Sequence, residues 1–158
     1  MEYFFVGILL FLFICQICAS IITIKLNHKK SIEFIGPTVN SKLNEELMNK
    51  LVCVNNECII ILFDFNCASC RLLIKDLVKN NIHDKRINLV TYGTLEEEIQ
   101  YKKELNLDLG ITLITEDLLK KSINVKIFPF ILHIKDNKVV NKGIASYDLL
   151  CSYLNIGV

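Results

Sequence analysis

Two cysteines separated by two small residues, Cys67-Ala68-Ser69-Cys70, stand where an apolar run gives way to a helix-like pattern in the stretch "FDFNCASCRLL", Phe63 to Leu73. A sulfur at the start of a helix faces unpaired amide N–H groups and the positive end of the helix dipole, and both stabilise a thiolate. Cys67 has that setting. Two intervening residues bring Cys70 round one turn, so the pair can close an intramolecular disulfide, with Cys70 as the less exposed, resolving partner. The chain carries its own control: Cys15-Gln16-Ile17-Cys18 has the same spacing, but it lies inside an uninterrupted apolar stretch with no strand before it. That pair reads as small apolar residues on a helix face.

The elements that must position Cys67 follow from periodicity. Cys58 to Phe65 is a short apolar, β-branched run of the kind buried on both faces of a sheet. Ala68 to Asn80 carries Leu72, Leu73, Leu77 and Val78 at helical spacing and stops at Asn80-Asn81. Ile87 to Tyr92 reads as a strand, Leu95 to Leu105 as a charged helix with Glu98 and Lys102 one turn apart, and Ile111 to Thr115 as a third strand. Asp117 to Asn124 is a short helix. Ile127 to Ile134 is a strand interrupted early by Pro129, Asp136-Asn137 a tight turn, Lys138 to Asn141 a return strand and Tyr147 to Leu154 a closing helix. This order predicts an α/β fold with a central mixed sheet flanked by helices, parallel first and antiparallel at the hairpin.

The N-terminus does not belong to that domain. The chain is 52% hydrophobic, and its mean hydropathy is +0.40. From Tyr3 to Ile24 no charge occurs and only Gln16, Ser20 and Thr23 are polar. At ~1.5 Å rise per residue the stretch is long enough to cross a hydrocarbon core of ~30 Å. Residues 1–24 therefore read as a transmembrane anchor. A cleaved signal peptide wants a basic start and a small-x-small site, whereas Glu2 stands here and the apolar run continues past Ala19-Ser20. A lipoprotein-type cysteine is disfavoured by Ile14 and Ile17, which precede Cys15 and Cys18. Residues 25–44, with Lys25, His28, Lys29, Lys30 and Gly36-Pro37, read as a linker, and residues 45–158 as one domain. All 18 Lys and Arg follow residue 24, balanced by acidic residues, and no nucleic-acid-binding footprint results.

On these features the chain resembles the thioredoxin superfamily, and more closely its membrane-anchored, extracytoplasmic branches of the TlpA and MauD types. The matches occur in order: the anchor, the basic stretch ending in Gly36-Pro37, "IIILFDFNCASCRLL", "ITLITEDLLKKSINVKIFPFILHI" and "NKVVNKGIASYDLL", together covering residues 36 to 155. In that family a proline after the third core strand is cis and lies against the disulfide; Pro129 in "KIFPFIL" matches it, and Gly143 matches the family's glycine after the return strand. The chain departs from the pattern in having no Trp, in placing Asn66 before Cys67 and Phe128 before the proline, and in placing Ile61 where thioredoxins bury an acidic residue.

The resemblance implies a thiol-disulfide oxidoreductase in which Cys67 attacks and Cys70 resolves, while Phe128 and Pro129 line the edge where substrate docks. No bound cofactor or metal is required, because the cysteine pair is itself the redox group. The implied partners are thiol- or disulfide-containing protein clients and a membrane thiol-redox protein, with the catalytic domain extracytoplasmic. The flanking charges favour the opposite orientation, since Lys25, His28, Lys29 and Lys30 follow the span and only Glu2 precedes it.

Two rival functions use the same residues. Cys53, Cys58, Cys67 and Cys70 form C-x4-C-x8-C-x2-C, and four thiolates can hold zinc. The strand between the pairs would, however, put them roughly 25 Å apart. A thiol peroxidase on the same fold lacks a supporting Thr or Arg pattern at Cys67, Arg71 reading as a helix residue that pairs at the surface. Cys53 and Cys58 also flank the loop Val54-Asn55-Asn56-Glu57, where a hairpin would set them face to face as a bridge or as two unpaired thiols. Cys151 reads as a packed residue, and His28, His83 and His133 as solvated or packed side chains.

Overall fold

A computed structural model describes residues 13–24 and 35–156. The chain divides into two compact units between Ile35 and Gly36. In the first, residues 13–24 form a helix, α1, whose side chains are all exposed, among them Phe13, Ile14, Ile17, Ile21, Ile22 and Ile24. Its polar side chains bond back along the helix: the hydroxyls of Ser20 and Thr23 donate to the carbonyls of Gln16 (2.8 Å) and Ala19 (2.9 Å). Among the described residues no helix is long and apolar enough to cross a membrane. Residues 3–12 of the expected span, and residues 25–34 of the expected linker, lie outside the described residues.

The second unit runs α2 (Glu45–Met48), β1 (Glu57–Leu62), α3 (Ala68–Lys79), β2 (Ile87–Tyr92), α4 (Leu95–Leu105), β3 (Ile111–Ile114), α5 (Glu116–Ser122), β4 (Phe130–Lys135), β5 (Lys138–Ile144) and α6 (Tyr147–Leu154). Its sheet has the order β3-β2-β1-β4-β5. β1 pairs parallel with β2 and antiparallel with β4, β2 pairs parallel with β3, and β4 pairs antiparallel with β5. The sheet is therefore mixed, as the order of elements predicts.

β1 is the central strand, and Cys58 to Leu62 are all completely buried, which is why it reads as a continuous apolar run rather than an alternating one. Ile59 and Ile61 face a core shared with Leu73, Ile74 and Leu77 of α3, Tyr101 and Leu105 of α4, and Leu150 and Leu154 of α6. Ile60 and Leu62 point the other way by strand alternation. Leu47 of α2 and Leu118 and Leu119 of α5 are buried outside that cluster.

The differences from the sequence reading have local causes. β1 stops at Leu62 rather than Phe65, although the Phe63 N–H still donates to Val90 O (3.1 Å) as the chain turns away. β4 begins at Phe130, because Pro129 has no N–H to give a ladder. α2 is absent from the sequence reading. Its signal is the short one of Asn44, whose side chain accepts from Glu46 N, followed by two acidic residues in the first turn. The compact unit also starts earlier than residue 45: Asn40 N donates to Val139 O (2.7 Å), Val139 N donates to Ser41 O (3.0 Å), and Leu43 is buried. Residues 40–42 thus add to the edge of β5, inside the stretch read as a linker.

A buried amide ties the segment before β1 to β2. Asn88, 5% exposed, accepts from Val52 N (2.7 Å) and donates to Val52 O (2.9 Å) and Arg86 O (3.1 Å). Asn88→Ala leaves these backbone groups without their partner, at a cost of about 1–3 kcal/mol. A urea titration should show a lower midpoint with an unchanged slope; an unchanged midpoint would mean that water replaces the amide fully.

Candidate functional site

The site forms where β1 hands the chain to α3. Phe63 and Phe65 pack with Tyr101 of α4, ring centroids 5.2 to 5.5 Å apart, and this anchors the turn from below. Asp64 shapes it: one carboxylate oxygen accepts from Asn66 N (2.7 Å), and the Asp64 carbonyl accepts from Cys67 N (3.1 Å). The turn delivers Cys67 with extended backbone (φ −82, ψ 115) to the N-cap of α3, where its sulfur accepts from Cys70 N at 3.2 Å. A sulfur here occupies the place that a Ser, Asp or Asn oxygen takes in an ordinary helix cap.

Cys67 and Cys70 are joined by a disulfide, their Cα atoms 5.2 Å apart. Cys67 is half-buried and Cys70 has no exposure, so only one sulfur of the pair is open to an incoming group. Across from it runs the segment leading into β4. The Phe128–Pro129 peptide bond is cis. The Phe128 carbonyl oxygen lies 3.6 Å from Cys67 Sγ, and Pro129 O accepts from Ala145 N at 2.9 Å. Phe128 is half-buried and Pro129 buried. The four residues singled out from the sequence thus come together at one end of the sheet.

One further residue joins them that the sequence reading did not assign. Tyr92, at the end of β2, donates its hydroxyl to Asp64 Oδ2 (3.0 Å) and sets its ring 6.3 Å from that of Phe128. The hydrogen bond to Asp64, ahead of burial, pushes the Tyr92 hydroxyl above its ordinary pKa. Its position at the carboxyl end of a parallel strand, where sites collect in α/β sheets, is the signal that would have found it. Beside Phe128 and Tyr92 lies a groove of about 280 Å³ lined also by Leu119, Val125 and Lys126. Arg71, one position after Cys70, bonds Glu104 of α4 (2.7 Å) and Phe65 O (3.3 Å), and its guanidinium lies 5.0 Å over the Tyr101 ring. It pairs at the surface and clamps α3 to α4. Burial, the largest cause, raises the Tyr101 hydroxyl to about 12.

The other candidates lie elsewhere. Cys53 and Cys58 are at the opposite end of β1 from Cys67, and among the described residues no three His, Cys, Asp or Glu side chains are grouped to hold a metal. Ile61, where the resemblance would bury an acidic group, is a fully buried apolar residue. His133 bonds Glu57 (2.8 Å) and stacks on Tyr153, and Cys151 is buried.

No protein-family model matches the chain, and no curated protein is significantly similar to it. Solved structures are. The thioredoxin domain of a thiol-disulfide oxidoreductase from Bacteroides vulgatus is similar with TM-score 0.54 and 18% identity over 78% of this chain and 96% of that one. A peroxiredoxin-like protein from Aquifex aeolicus gives TM-score 0.53 and 10% identity over 78% and 91%. A secreted disulfide oxidoreductase from Mycobacterium tuberculosis gives 0.51 and 11% over 64% and 81%. The fold is thioredoxin-like.

The exposure difference within the pair predicts a labelling order. After reduction, a limiting amount of iodoacetamide should alkylate Cys67 well before Cys70, as read by peptide mapping. Equal rates would mean that Cys70 is reached as easily as Cys67, contrary to its burial.

Proposed function

We propose that the protein is a membrane-anchored thiol-disulfide oxidoreductase, of the TlpA or MauD kind, that exchanges disulfides with protein clients. One observation carries the reading: a half-exposed sulfur, Cys67, caps a helix N-terminus and is bonded to a buried one, Cys70. In the reduced protein the Cys67 thiolate keeps the Cys70 amide as a donor and attacks one sulfur of a client disulfide. The client's other sulfur leaves as a thiolate and takes up a proton. Cys70 then gives up its proton and attacks Cys67, expelling the second client sulfur as a thiol, so that the client gains two electrons and the pair loses two. Run backwards, the same steps oxidise a client dithiol.

Support for Phe128 and Pro129 as docking residues comes from their closeness to Cys67 and from the groove beside Phe128. An extended client segment laid along this edge would bring its disulfide to Cys67. Support for the anchor comes from the uncharged run Tyr3 to Ile24, of which residues 13–24 form a helix with exposed apolar side chains. We assign the domain to the extracytoplasmic side, where disulfides persist. A transmembrane thiol-redox protein is the partner that such a location calls for.

Cys70→Ser should turn the protein into a trap, accumulating client adducts that dithiothreitol removes, whereas Cys67→Ser should accumulate few. Equal trapping by both variants would undo the division of roles, and no trapping with stoichiometric zinc in the purified chain would favour the metal-binding rival. Membrane attachment and orientation are tested separately. The full chain should stay in the membrane pellet through an alkaline wash, and a membrane-impermeant maleimide should label reduced Cys67 on intact cells. Release by the wash would remove the anchor, and labelling only after lysis would reverse the orientation.

A further inference from the structure

The second cysteine pair sits at the far end of β1, in a hairpin built to hold two sulfurs face to face. Val54 and Glu57 exchange both backbone hydrogen bonds (2.9 Å each), and Asn55 and Asn56 turn the chain with φ of 52 and 60. Asparagine tolerates these left-handed angles, and two in succession make the tight turn that matches strand twist. Since Val54 and Glu57 form a hydrogen-bonded pair, Cys53 and Cys58 occupy the next, non-hydrogen-bonded position, where Cα atoms are ~4.5 Å apart. That separation is within the range a disulfide spans. Their sulfurs lie 2.6 Å apart.

Both sides of the hairpin are held. Asn88 grips the Val52 backbone next to Cys53, Cys58 pairs with Ile134 in the sheet, and Asn56 O accepts from Asp136 N at 2.9 Å. Bringing the sulfurs together therefore requires no rearrangement of the chain. Cys53 is exposed and Cys58 completely buried. Burial, with the Cys53 sulfur second, pushes the Cys58 thiol well above its ordinary pKa, so Cys58 does not begin an exchange. A bridge closing so short a loop removes less chain entropy than one closing a longer loop, so its stabilisation falls at the low end for a disulfide.

We propose that Cys53 and Cys58 form a second, reversible dithiol-disulfide couple that exchanges with low-molecular-weight disulfides of the glutathione class, with exposed Cys53 as the entry sulfur and buried Cys58 as the resolving one. This does not rest on the roles given to Cys67 and Cys70. Cys53 loses its proton and attacks one sulfur of the small disulfide, releasing one small thiolate, which takes up a proton. Cys58 then attacks the Cys53 sulfur, its proton passing to the second small thiolate as that leaves. Two protein thiols are oxidised, and one small disulfide is reduced to two thiols.

The test uses the full chain carrying Cys67→Ser and Cys70→Ser, so that the first couple is silent. After incubation with oxidised glutathione, remaining thiols are blocked with N-ethylmaleimide and peptides mapped. The expected result is an intramolecular Cys53–Cys58 link, reversed by dithiothreitol. Adding Cys58→Ser should leave glutathione stably attached to Cys53, while adding Cys53→Ser should leave Cys58 unmodified. The same link should appear in the unsubstituted chain, which guards against a variant that fails to fold. Recovery of both residues as maleimide adducts after oxidation would overturn the proposal, as would glutathione persisting on Cys53 while Cys58 is intact, or a link only between chains.

Discussion

The sulfur of Cys67 closes the first turn of α3, and the rest of the second unit is arranged around keeping it there. A helix cap works only if the chain enters at one angle, and three interactions set that angle. The aromatic cluster of Phe63, Phe65 and Tyr101 fixes the height of the turn, the Asp64 carboxylate and carbonyl fix its shape, and Leu73, Ile74 and Leu77 fix the helix against the sheet. The helix in turn offers its free amides to whatever charge the sulfur carries. Each of these contacts is ordinary; their shared consequence is that one sulfur faces outward and its partner inward.

Packing carries more of this arrangement than polar contacts do. The salt bridge of Arg71 with Glu104 is 38% exposed on each side, and exposed ion pairs contribute little, roughly 0–1 kcal/mol. Burying a leucine the size of Leu77 stabilises by about 1.5–3 kcal/mol relative to leaving it exposed. Several such residues line the buried face of α3. Arg71 matters more for direction than for energy, since its fork to Glu104 and Phe65 O and its stack on Tyr101 register α3 against α4.

Much of this was legible in the sequence because the signals are local. The apolar run of β1 and the period of α3 are each contained within one element, and the bounds of β2, α4 and α6 fall where their patterns begin and end. The turns were legible for a less usual reason: asparagine rather than glycine takes most of the left-handed positions, including Asn55, Asn81, Asn106, Asn137 and Asn155. What escaped depends on distance in the chain. Tyr92 reaches Asp64 only because β1 and β2 pair in parallel with Leu62 beside Val90, a register no local pattern carries. The pairing of residues 40–42 with β5 escaped because basic and turn residues dominate that stretch, while the backbone bonds that hold it leave no mark on side-chain type.

The absence of a carboxyl group at Ile61 changes the proton path that the proposed exchange can use. Ile61 and Cys70 belong to the same apolar cluster, so the proton that Cys70 gives up has no acidic acceptor at that position. Asp64 is the carboxylate of the turn itself, but one of its oxygens accepts from Asn66 N and the other from the Tyr92 hydroxyl. Both oxygens are thus engaged within the turn. In the proposed exchange the second client sulfur would take up the Cys70 proton as it is expelled from Cys67. Resolution in that proposal would then draw on the client's own leaving group at the step where the resemblance would place a buried acid.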